Sequence, residues 1–67
     1  LSWEAVDGRK VTGISRMDGV KLLLAGGAWV LIRPSGTEPL FRIYAEAATL
    51  QEVEEIQAAT RQLLGLN

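Results

Sequence analysis

The 67-residue chain contains no cysteine and no histidine. The first absence excludes a disulfide framework, a thiolate metal ligand and a thiol nucleophile. The second removes the commonest metal ligand and the side chain most often used as a general base near neutral pH. No apolar run is long enough to span a bilayer: the longest, from Leu22 to Ile32, is interrupted by Gly26 and Gly27. The N-terminal LSWEAVDG has neither the basic start nor the apolar stretch of a secretory leader. An excess of charge is lacking as well. Seven basic and eight acidic residues leave a net charge of −1, with the basic ones dispersed from Arg9 to Arg61. No general field therefore draws in a polyanion, and any anion binding has to be local.

What remains, 48% hydrophobic and 22% charged residues, suits one small soluble domain over residues 1–67, expected to be cytoplasmic and without a membrane partner. A core of this size without disulfide or metal is marginal, as for a domain belonging to a larger protein. Turn signals divide the chain. Asp7-Gly8, Asp18-Gly19 and Gly26-Gly27 separate apolar stretches, and the last two read as tight hairpins joining strands at Lys10–Met17, around KLLLA and around AWVLIR. Gly13 weakens the first of these strands. LSWEAV reads as a trailing segment whose Leu1 and Trp3 pack as an edge. A fourth strand, Leu40–Ala47, alternates: Phe41, Ile43, Ala45 and Ala47 face a core, and Arg42, Tyr44 and Glu46 face water or a ligand.

A helix comes next. Thr49 is its N-cap, Glu52 completes a capping box, and Glu52, Glu54 and Glu55 favour the positive end of the helix dipole. Val53, Ile56, Thr60, Leu63 and Leu64 form the apolar stripe, with Arg61 near the C-terminal end and Gly65 as the stop. The expected fold class is α+β, a four-stranded antiparallel sheet covered on one face by helix. One helix scarcely covers such a sheet, which predicts a second covering helix upstream of Leu1.

The chemistry concentrates in RPSGTEP, residues 33–39. Arg33 offers a planar fork of donors matched to two phosphate oxygens. Ser35 and Thr37 add hydroxyls, and Gly36 lets successive N–H groups turn into one concavity, an anion nest. Pro34 and Pro39 stiffen both shoulders, lowering the ordering cost of binding. The same residues also make an ordinary turn, with a solvated arginine at a strand end, so composition alone leaves both readings open. The stretch is not a Walker loop, for it lacks GK[ST]. Glu38 is expected to face outward, toward Arg42. Arg42 itself is either an accessory ligand contact or the partner of Glu38 or Glu46, and Trp29 and Tyr44 are more readily sheet cover than ligand contacts.

RPSGTEPLFRIYAEA resembles the phosphate-binding loop and following strand in the C-terminal domain of the α-D-phosphohexomutases, the phosphomannomutases, phosphoglucomutases and phosphoglucosamine mutases. The likeness runs through the capped helix, about half of the chain. It implies the last domain of a four-domain enzyme, with a fold like that of the TATA-binding protein. Arg33, Ser35, Gly36 and Thr37 match the loop that grips the phosphate not being transferred, although some relatives have Asn at the position of Gly36. The family moves a phosphoryl group between the 1- and 6-positions of a hexose phosphate through a bisphosphate that reorients, so either phosphate must fit this grip. The phosphoserine, magnesium and sugar loops of the family have no counterpart here. The resemblance therefore implies no catalytic and no metal-binding residue in this chain, Mg2+ only in the full-length enzyme, a phosphosugar and the other domains as partners, and an inactive isolated domain. Two other classes compete: a purely structural domain, and a nucleic-acid-binding β-sheet. The latter needs a basic, aromatic face that this chain, with its charges dispersed, is expected to lack, so no nucleic-acid partner is expected.

Overall fold

The computed structural model describes residues 4–17, 19–34 and 41–65. Five strands, β1 (Ala5–Val6), β2 (Arg9–Ser15), β3 (Val20–Leu24), β4 (Trp29–Pro34) and β5 (Phe41–Glu46), precede one helix, α1 (Leu50–Leu63). Each strand pairs antiparallel with the next, giving a meander in the order β1-β2-β3-β4-β5. The α+β class is as expected; the strand count is not. Ala5–Val6, read as a trailing segment, pairs with Lys10 and Arg9 across a turn in which Asp7 (φ 52°) and Gly8 (φ 74°) are both left-handed. That backbone matches the twist of a two-residue hairpin, so the Asp-Gly signal marked a hairpin here as well. Leu1, Trp3 and Asp18 lie outside the described residues.

The first hairpin strand is shorter than expected, Arg9–Ser15 rather than Lys10–Met17, and its Gly13 marks a bulge. Val11 pairs with Leu24 and Gly13 with Leu23, leaving Thr12 as the extra residue. The bulge resets the alternation, so Val11 and Ile14 stand opposite the inward Leu24 and Leu22. The Thr12 hydroxyl donates to the Leu23 carbonyl at 3.2 Å.

One face of the sheet carries the core: Val6, Leu22, Leu24, Ala28 and Val30 close on Ile56 of α1, with Ile43, Ala45, Ala47 and Ala59 packed against them. The helix touches both edge strands, β1 and β5, so the sheet curls around it. Thr49 caps α1, its hydroxyl oxygen accepting from the Glu52 N–H at 3.1 Å. The Glu52 carboxylate accepts in turn from the Thr49 hydroxyl at 3.2 Å and from the Arg9 guanidinium at 3.1 Å. Arg9 also donates to Asp7 at 2.6 Å, tying the β1–β2 turn to the helix start. These hydrogen bonds, to Glu52 first and Asp7 second, push the Arg9 guanidinium above its already high ordinary value. Of the three glutamates, Glu52 alone sits in the first turn. Thr60, fully buried, donates to the Ile56 carbonyl at 2.7 Å and leaves no orphan.

Two stripe expectations need correction. Leu63 and Phe41 are 47% and 45% exposed, although the alternation and the helical stripe turn both toward the core. For Phe41 the reason is positional: with Ile14, Arg16, Val20, Leu22, Ile32 and Leu64 it lines an open cavity of about 220 Å³ at the end of the inner face that α1 leaves uncovered. No helix of the described residues is long and apolar enough to cross a membrane.

Candidate functional site

The register fixes the outer face of the sheet. Alternation turns Val30 and Ile32 inward and Trp29, Leu31 and Arg33 outward. Opposite them β5 places Glu46 against Trp29, Tyr44 against Leu31 and Arg42 against Arg33. β3 adds Lys21 opposite Leu31 and Leu23 opposite Trp29, and β2 adds Ser15 opposite Lys21. Three transverse rows result. The one nearest the loop holds Arg33 and Arg42; the next holds Ser15, Lys21, Leu31 and Tyr44; the third holds Leu23, Trp29 and Glu46.

The first row is the unusual one. Two arginines directly opposite on one face stand with Cβ atoms about 5 Å apart, where like charges repel. Both are exposed, and among the described residues neither joins an ion pair, since the ion pairs found there belong to Arg9. Of the alternatives for Arg42, the bond to Glu46 does not form; Glu38 lies outside the described residues, as do the candidate phosphate-binding residues Ser35, Gly36 and Thr37. Arg33 and Arg42 therefore flank the two ends of the proline-bounded loop, at the ends of strands that the Trp29–Ile32 run and its β5 partners hold in register. Pro34 ends β4, where a residue without an N–H suits the close of a ladder.

Gly19 shapes this corner. It sits at φ 111°, and a Cβ there would collide with the Ile32 carbonyl oxygen and come within 3.0 Å of Arg33 Cγ. The residue before β3 thus lets the chain run hard against Arg33. Lys21 lies over the Trp29 ring at 4.4 Å, a cation–π contact that fixes a third positive charge on the same face. The sequence marks Gly19 as a turn residue and does not single out Lys21; the closeness of Gly19 to Arg33 and of Lys21 to Trp29 depends on strand register. Three of the seven cations, Lys21, Arg33 and Arg42, and the aromatics Trp29 and Tyr44 are thereby gathered on one face, contrary to the expectation from the linear sequence. Among the described residues, no group of three or more acidic side chains is placed to hold a metal ion.

A small α+β domain with a helix on one face of its sheet and a cationic row beside a proline-bounded loop on the other defines the class. The chain belongs to the family described as the phosphoglucomutase/phosphomannomutase C-terminal domain, whose model matches residues 2–63. It is 45% identical over 65 residues to a phosphoglucosamine mutase of Listeria monocytogenes, covering 91% of this chain and 14% of that protein. A probable phosphoglucosamine mutase of Methanothermobacter thermautotrophicus is 44% identical over 52 residues, 78% of this chain and 12% of that protein. A phosphopentomutase of Thermococcus kodakarensis is 40% identical over 47 residues, 70% of this chain and 10% of that protein. The chain thus spans 10–14% of the length of these relatives. No solved structure gives a significant match.

Proposed function

We propose that the chain is the phosphate-holding domain of a sugar-phosphate mutase, gripping the phosphate that is not being transferred through Arg33, Ser35, Gly36 and Thr37, with Arg42 as an accessory contact. The observation that carries this reading is the cross-strand pairing of Arg33 with Arg42 at the foot of the RPSGTEP loop. Mutual repulsion between the two arginines is relieved when a dianion sits between their guanidinium forks. A phosphate is nearly symmetric, so two forks, two hydroxyls and a backbone nest accept it in either orientation of a sugar bisphosphate. Such a remote grip does not touch the reacting atoms. It spends binding energy on positioning the other end and favours closure that excludes water.

The reaction is a phosphoryl shift between two positions of one hexose phosphate in a cytoplasmic enzyme. The nucleophile, Mg2+ and the loop that discriminates between sugars come from other domains of the same polypeptide, and the 67-residue chain alone does not turn over substrate. The uncovered end of the inner face, lined by Val20, Ile32 and Phe41, supports a second helix from upstream of Leu1 and with it the sheet-and-two-helix layout of a TATA-binding-protein-like fold. A second reading, a nucleic-acid-binding sheet, draws on Lys21 over Trp29 beside the two arginines; steeply salt-dependent oligonucleotide binding would favour it.

The test is Arg33→Ala in the longer polypeptide. One or two charge-assisted hydrogen bonds of about 1.5–3 kcal/mol each predict a loss in kcat/KM of about tenfold to several thousandfold. Arg33→Lys should recover part of it, because an ammonium keeps the charge and loses the planar fork. A kcat/KM within about threefold of the parent, or a loss traceable to unfolding, would overturn the assignment.

A further inference from the structure

The outer face continues past the arginine row, and its next row differs in chemistry. Tyr44 lies two residues beyond Arg42 on β5, hence on the same face and about 7 Å further along the strand. Its cross-strand partner is Leu31, which in turn lies two residues from Arg33. Tyr44 is 42% exposed although it is a large aromatic on a sheet face that no helix covers. Among the described residues its hydroxyl makes no hydrogen bond to another side chain or to the backbone. The Tyr44–Leu31 pair therefore forms an apolar step with a polar tip, set one row behind two guanidinium groups that join no ion pair among the described residues.

We propose that Tyr44, backed by Leu31, is the platform for the sugar ring of the phosphosugar whose phosphate lies between Arg33 and Arg42. This role rests on the phosphate-holding reading, with Tyr44 taking the group to which the held phosphate is attached. An anion anchored in the arginine row can extend outward into the cleft or lie back along the strands. The second course puts its first ring over Tyr44. A pyranose or furanose presents a face of C–H groups and a rim of hydroxyls, and an exposed tyrosine matches both, its ring meeting the C–H face and its hydroxyl meeting the rim. The rest of the row fits. Lys21 is drawn away over Trp29, so the surface beside Tyr44 is the Leu31 side chain rather than a competing charge. Glu46, the acid that the strand register places on this face among the described residues, stands a further row away, out of reach of a phosphate held between Arg33 and Arg42. Tyr44 is thus a positioning residue that favours a cyclic sugar over a bare phosphate without contributing to the phosphate grip.

The experiment compares inorganic phosphate with glucose 6-phosphate as probes, titrated by NMR into the 67-residue chain and its Tyr44→Ala and Tyr44→Phe variants. Tyr44→Ala should weaken glucose 6-phosphate binding about three- to tenfold and leave inorganic phosphate within about twofold. Tyr44→Phe should retain most of the ring contact. A purely structural role would move both probes together, and equal weakening of both, or of neither, overturns the inference. If the parent binds phosphate yet Tyr44→Ala binds glucose 6-phosphate as tightly as the parent does, this inference alone fails. If the parent binds neither probe, the phosphate-holding reading fails and this one with it. The exposure of Tyr44 makes the variants tolerable to the fold, and retained dispersion of the core methyl signals confirms it.

Discussion

Arg42→Ala should strengthen the ligand-free fold while weakening the liganded one, and the two effects can be separated. Arg33 and Arg42 face each other across β4 and β5. Two unit charges about 5 Å apart in water repel by about 0.8 kcal/mol, and outward splay of the long side chains lowers this toward about 0.2 kcal/mol. Removing Arg42 in low-salt, phosphate-free buffer should therefore raise the unfolding free energy by about 0.2–0.8 kcal/mol, and the gain should fade toward 1 M salt. Phosphate reverses the sign. At a concentration of 100 Kd a ligand stabilises the native state by about 2.7 kcal/mol. Loss of one charge-assisted hydrogen bond raises Kd about 10- to 100-fold, leaving only about 0.4–1.4 kcal/mol of stabilisation at the same phosphate concentration. Urea unfolding of parent and variant, with and without phosphate, measures all four quantities. Destabilisation of the phosphate-free chain by more than about 1 kcal/mol, together with equal phosphate stabilisation of parent and variant, would refute the reasoning and make Arg42 structural.

Strand β1 and the helix cap give independent checks. Val6 is fully buried among Leu24, Val30 and Ile56, so Val6→Ala should cost about 1.5–3 kcal/mol in urea unfolding; a change under about 0.5 kcal/mol would mean that β1 contributes nothing to the fold. Thr49→Ala removes the acceptor for the Glu52 N–H and should cost about 0.5–2 kcal/mol. An unchanged melting temperature would contradict the cap.

The helix was legible because its punctuation is local. Thr49, Glu52, Ile56, Thr60 and Gly65 each act within a few residues, and the structure places them as the spacing predicts. Hairpins at Gly26-Gly27 and Asp18-Gly19 were legible for the same reason. Ala5–Val6 escaped because two residues carry no period, although Asp7-Gly8 beside them was the same hairpin signal used elsewhere. The exposure of Phe41 and Leu63 was not readable, since alternation and helical stripe say which face a side chain joins and nothing of what covers it there. In the candidate site the arginines were visible as residue types flanking RPSGTEP. That they stand directly opposite each other, with Lys21 over Trp29 in the rows behind, depends on strand register across β3, β4 and β5. Ser35, Gly36 and Thr37 rest on the sequence and the family, being outside the described residues.

That a phosphate is held at the foot of the RPSGTEP loop is tested by titrating inorganic phosphate into the 15N-labelled chain and into its Arg33→Ala variant. Saturable amide shifts confined to residues 33–42 and the adjoining Gly19 corner are expected, weakened at least about tenfold in Arg33→Ala. An absence of saturable shifts, or the same shifts and the same affinity in Arg33→Ala, would contradict it.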